Sequence, residues 1–182
     1  MRIVAWDLET TDLKALMGRI LCSSFYPIVD GVKTKPYTFR IDRKPWKSDD
    51  PIDDSALADA IRDELHKYNL IVTWNGKLFD LAFLNARLLK AGRARCTPQF
   101  HFDAMYQARG CQLRIGSSKL DNVQKFFDLA EEKTPITWEN WNRAALGDKK
   151  AMADVVKHCE QDVEVLALAY WKLLPMVANL HR

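Results

Sequence analysis

Hydrophobic and polar positions alternate from Arg2 to Glu9, and again from Gly18 to Val29 and from Val32 to Ile41. Alternation over such lengths predicts three strands, the second and third turned at Asp30-Gly31, which makes an antiparallel meander. Lys44 to Asp54 carries two prolines among lysines and aspartates and reads as a surface excursion. The periodicity then changes. Leu57, Ile61 and Leu65 recur at helical spacing behind Asp53, Asp54 and Ser55, predicting a helix over Ser55–Tyr68 with those three residues as its start signals. Leu70 to Trp74 is a short apolar strand broken at Asn75-Gly76, and Leu78 to Lys90 returns to helical spacing through Leu81, Leu84 and Leu88.

Phe100 to Asp103 is a weaker strand signal, and Lys119 to Leu129 is a short helix with Leu120, Val123 and Phe127 on one face. Thr134 to Asp148 has no clear period. Lys150 to Leu174 is the longest helix, its apolar stripe running through Met152, Val155, Val156, Cys159, Val163, Leu166 and Leu173 and ending before Pro175. A three-strand meander followed by alternating helices and strands predicts the α/β class: one domain over residues 1–182, with a mixed central sheet flanked by helices.

Composition adds exclusions. With 182 residues, 48% hydrophobic and 28% charged, the chain suits one globular core that needs no disulfide or structural metal. The start lacks a signal-peptide core and no apolar run is long enough for a bilayer, so a cytoplasmic protein with no membrane partner is expected. Cys22, Cys96, Cys111 and Cys159 form no Cys-x-x-Cys pair, which predicts ordinary reduced thiols rather than a zinc site. A net charge of +3 is too small to name a partner.

Candidate chemistry lies in acids. Asp7 and Glu9, two apart at a strand end, project to the same face, where two anions repel unless a cation lies between them. An oxygen pair suits Mg²⁺ or Mn²⁺, although an exposed strand end fits equally. Asp80 falls in the first turn of its helix, where an acid is also favoured by the helix dipole. His158 and Asp162 stack four apart on the last helix, with Asp154 two turns before Asp162 on the same polar face. Trp138 and Trp141, three apart, fit one side of a helix lying on the core, outside the site.

Together these segments resemble the DEDD 3′→5′ exonucleases of the ribonuclease H-like superfamily. The family's first motif, Asp-x-Glu on a strand, is matched by Asp7-Leu8-Glu9-Thr10-Thr11. Its second, a strand and helix start ending in Asp, is similar to Trp74-Asn75-Gly76-Lys77-Leu78-Phe79-Asp80. Its third, Tyr-x-x-x-Asp or His-x-x-x-x-Asp on a late helix, resembles His158-Cys159-Glu160-Gln161-Asp162, which has the spacing of the tyrosine branch and the residue of the histidine branch. The motifs appear in order from Ile3 to Leu173, and their spacing selects Asp162 over Asp154.

The resemblance implies a ribonuclease H-like fold and two divalent cations, Mg²⁺ or Mn²⁺. Asp7 would bridge both, Glu9 and Asp162 would complete one site, and Asp80 would hold the second, mainly through water. His158 would orient or deprotonate the attacking water. Leu8, Thr10, Asn75 and Phe79 would meet the terminal nucleotide, and Lys77, Lys119 and Lys157 are candidates for phosphate contact. The expected partners are single-stranded DNA or RNA 3′ ends, DNA ahead of RNA, together with replication or repair proteins. Two other readings stay open: an idle nucleic-acid-binding or polymerase-accessory proofreading module of the same fold, and a ribonuclease H-like endonuclease or resolvase.

Overall fold

The computed structural model describes residues 1–109, 113, 115–116, 119–129 and 136–176. Five strands make one sheet: β1 (Ile3–Thr10), β2 (Ile20–Ile28), β3 (Tyr37–Arg40), β4 (Leu70–Thr73) and β5 (Phe100–Asp103). Their order is β3-β2-β1-β4-β5, with β1/β2 and β2/β3 antiparallel and β1/β4 and β4/β5 parallel. The expected meander and mixed sheet are both present.

Residues of β1 alternate between two apolar layers. Val4, Trp6 and Leu8 pack with Leu57, Ile61 and Leu65 of α1 (Ser55–Leu65) and with Phe83, Leu84 and Leu88 of α2 (Asp80–Lys90). Ala5 faces the other way, toward Val163, Leu166, Tyr170 and Leu173 of α6 (Lys149–Leu173) and Leu120 and Val123 of α4 (Leu120–Phe127). Asp7 and Glu9 share the parity of Ala5, so the pleat turns both acids toward α6. Among the described residues no helix is long and apolar enough to cross a membrane.

Several boundaries differ from the sequence reading. The turn at Asp30-Gly31 is closed by a Val29–Val32 bridge, but the third strand is far shorter than Val32–Ile41. Pro27 and Pro36 offer no N–H, and the Thr34 hydroxyl instead bonds the Pro27 carbonyl at 2.6 Å. The first helix ends at Leu65 rather than Tyr68. Asp54 occupies its N-cap position without capping with its side chain, because that carboxylate is held by Arg87. A short helix, α3 (Ala104–Arg109), follows β5 where none was expected. The unassigned segment contains α5 (Trp138–Ala145), capped by Thr137, whose side chain accepts from the Asn140 N–H. Cys22, Cys96 and Cys159 are buried free thiols, whereas Cys111 and Thr134 lie outside the described residues.

Candidate metal centre

Parallel pairing of β1 with β4 brings their carboxyl ends to the same edge of the sheet, and the motif acids gather there. Leu21 is an extra residue in β2 opposite the Glu9–Thr10 step, since Glu9 pairs with Cys22 and Thr10 with Ile20. Such a bulge bends the strand and re-aims its neighbours. It places Leu21 and Cys22 together on the α6 side, next to Glu9.

The turn after β4 is built so that Asp80 reaches the same place. Asn75 adopts a left-handed conformation, φ 65°, which asparagine tolerates better than most residues. A Cβ on Gly76 would stand 2.5 Å from the Thr73 side chain, so only glycine fits. Asp103, at the end of β5, clamps the turn by accepting the backbone N–H groups of Asn75 at 2.9 Å and Lys77 at 3.0 Å. Asp80 then opens α2, buried to 3% exposure, where it feels the charge of Asp7 on β1.

From α6, the Cys159 thiol lies 3.4 Å from Asp7 Oδ2 as a donor. Burial pushes this thiol well above its usual range, which keeps it protonated. His158 Nε2 stands 3.7 Å from Asp162 Oδ2. Asp154, in contrast, is exposed and accepts from Asn140 Nδ2 at 3.3 Å, on the α5 side. Asp7, Glu9 and Cys159 each present a possible ligand atom, all within 4.8 Å of one another.

Electrostatics mark the cluster as under tension. Burial first, and then the charges of Asp7, Asp162 and Asp80, push the Glu9 carboxyl well above the usual carboxylate range, against the opposing effect of a hydrogen bond from Trp141. Burial, followed by Asp7, does the same to Asp80. A folded state that holds protons more tightly than the unfolded chain is stabilised most below the ordinary carboxylate values of 4.5 and 3.8, and loses that contribution as pH rises through the raised values. In chelator, the wild type should therefore lose melting temperature relative to Glu9→Gln or Asp80→Asn as pH climbs from about 4 to 8. One pKa unit corresponds to about 1.4 kcal/mol, or ~3–6 °C for a chain this size. Parallel melting curves for wild type and variants across that range would contradict the cluster's strain.

The substrate candidates divide between two hollows flanking the acids. Leu8, Thr10 and Phe79 line a slot of about 240 Å³ with Glu9, Asp12, Leu13, Trp138 and Trp141. Phe79 also packs against Phe83, ring centroids 5.9 Å apart, so it serves core and slot together. Asn75 instead opens with His158, Asp162, Arg109 and Lys119 onto a polar cleft of about 540 Å³. Lys77 and Lys157 are exposed and line neither hollow.

The reading of the two tryptophans as a core-facing helix side holds for Trp141, which packs against the cluster of Leu21, Cys22, Met152 and Cys159, but not for Trp138, and both rings also border the acids. Trp138 is 65% exposed, and Trp141 Nε1 donates to Glu9 Oε2 at 2.9 Å. A helix seated on α6 beside a strand end, rather than on a sheet face, directs these rings into the site. Asp103 and Cys159 were also missed. The signal for Asp103 was an acid ending a short strand, and for Cys159 its position three residues before Asp162.

A family model described as RNase_H superfamily matches residues 4–174. Among solved structures, the family B DNA polymerase from the hyperthermophilic archaeon Pyrobaculum calidifontis superposes with a TM-score of 0.74 at 19% identity. The alignment covers 96% of this chain and 24% of the polymerase, so the chain spans about a quarter of that protein's length. No curated protein matches.

Proposed function

Since the chain belongs to the RNase H superfamily, we propose that residues 1–182 form a DEDD-type 3′→5′ exonuclease domain releasing nucleoside monophosphates from single-stranded ends, DNA ahead of RNA. The observation that carries this reading is that the charges of Asp7, Asp162 and Asp80, drawn from β1, α6 and α2, all act on the buried Glu9 carboxyl, and that of Asp7 acts on Asp80 as well. Their donor set fits hard cations: carboxylate oxygens, partly buried, whose repulsion is relieved by positive charge. Asp7 would bridge two cations, with Glu9 and Asp162 on one and Asp80 on the other. Bound there, Mg²⁺ or Mn²⁺ would supply an activated water and neutralise charge on the leaving 3′ oxygen.

The protein's own groups have separate tasks. His158, on the cleft side of Asp162, orients the attacking water and can accept its proton. Phe79 and Leu8 flank the terminal base in the apolar slot, where stacking contributes ~1–3 kcal/mol per base. Thr10 lies at the same wall, while Asn75 meets the sugar or phosphate from the polar cleft, with Lys119 beside it. An idle binding module of the same fold is disfavoured, because it has no use for buried acids that repel one another. Replication or repair proteins remain the proposed partners.

Digestion of end-labelled single-stranded DNA, duplex DNA and RNA, side by side with Mg²⁺, Mn²⁺ or chelator, tests the proposal. Mononucleotides should appear from single-stranded DNA with either cation and vanish in chelator. Cleavage that persists in excess chelator, or starts internally, would refute the reading.

A further inference from the structure

We infer that Trp141 is a positioning residue, holding the Glu9 carboxylate in its metal-binding orientation and steadying the His158 ring; this rests on the exonuclease reading above. Two contacts converge on one side chain. Trp141 Nε1 donates to Glu9 Oε2 at 2.9 Å, across 132 residues of sequence. Its ring meets the His158 ring edge-on, centroids 5.7 Å apart and planes at 82°. The proposed ligand on β1 and the proposed water-orienting group on α6 are thus tied to the same indole.

The chemistry of that indole makes the link directional. An indole N–H can only donate, so Oε2 must accept, which leaves Oε1 and the second lone pair of Oε2 for a cation. A charge-assisted hydrogen bond of this kind fixes the rotation of a carboxylate that three other acids would otherwise repel. Partners behind a metal ligand orient it, and losing one typically lowers metal affinity or activity 10–100-fold. Trp141 is itself well anchored. Thr137 caps α5 through the Asn140 N–H, Asn140 reaches Asp154 on α6, and an Arg19 guanidinium bonds the Ala145 carbonyl at the far end. Trp138, one turn earlier and 65% exposed, has no such bond to an acid among the described residues and provides an internal control for cation binding.

The experiment is Mn²⁺ titration by calorimetry of the whole chain, with turnover on single-stranded DNA measured at limiting and at saturating Mn²⁺. Trp141→Phe keeps a ring against His158 but removes the donor. Its Mn²⁺ affinity should fall about tenfold, and its kcat more than its KM for DNA, with part of the rate restored by excess Mn²⁺. Trp138→Phe should bind Mn²⁺ like the wild type. Equal Mn²⁺ affinity in Trp141→Phe and the wild type overturns the inference while leaving the exonuclease reading intact. Failure of the unaltered protein to bind Mn²⁺ or Mg²⁺ overturns both. A measurement on the unaltered protein covers a misfolded variant: the Trp141 indole N–H resonance should move as Mg²⁺ is added, and a resonance that stays fixed while Mg²⁺ binds overturns the inference.

Discussion

Asp162→Asn should lower cation-dependent hydrolysis by at least about 10²-fold, whereas Asp154→Asn should leave it at the wild-type rate. The bound is conservative, because groups that merely support ligands already contribute 10–100-fold. Both aspartates sit on α6 and look alike in sequence. In the fold they diverge: the charge of Asp162 reaches Glu9, while Asp154 is exposed and bonded to Asn140 on α5. Asp7→Asn should behave like Asp162→Asn, because Asp7 raises both Glu9 and Asp80 and so stands between them electrostatically. All three variants should keep the wild-type circular dichroism spectrum. Equal impairment of the Asp154 and Asp162 variants would show that the third motif is misplaced. Full activity in the Asp7 variant would remove the acids from the chemistry altogether.

The largest expected effect on stability lies away from the acids. Arg87→Ala should destabilise the chain by about 3–5 kcal/mol, the usual consequence of leaving one member of a buried ion pair unpartnered. Arg87 and Asp54 are 5% and 3% exposed, with guanidinium-to-carboxylate distances of 2.8–3.0 Å. Asp54 Oδ2 also accepts the Ile20 N–H at 2.8 Å, and Arg87 reaches the Ala15 carbonyl at 3.2 Å. The pair therefore joins α2, the start of α1, the first residue of β2 and the loop following the Asp7–Glu9 strand. At ~2–4 °C per kcal/mol, the melting temperature should drop by roughly 6–20 °C. Replacing both partners with apolar residues, Asp54→Leu with Arg87→Met, should recover much of that loss, since no charge is then stranded. A thermal melt of Arg87→Ala within 2 °C of the wild type would contradict this account of the pair.

The sequence by itself determined the order and type of the long elements, because their apolar periods are local. Leu57, Ile61 and Leu65 mark α1 on any reading of helical spacing, the alternation through Val4, Trp6 and Leu8 marks β1, and the stripe ending at Leu173 marks α6. It also placed Asp7 and Glu9 on one face and Asp80 at a helix start, since two-residue pleating and the Asn75-Gly76 turn are properties of adjacent residues. What only the tertiary structure decided depends on residues far apart in the chain. Asp54 looks like a helix cap until Arg87, 33 residues later, takes its carboxylate. The β2 bulge at Leu21 exists only against β1, and the β2/β3 ladder ends at Phe25–Tyr37, just short of Pro27 and Pro36. Trp141 carries no local mark of its bond to Glu9, because its spacing from Trp138 describes a helix side without saying what that side faces. Local pattern sets which face is apolar; the neighbours that a face finds are set by how strands and helices pack, and there α5 turns its tryptophans toward the acids.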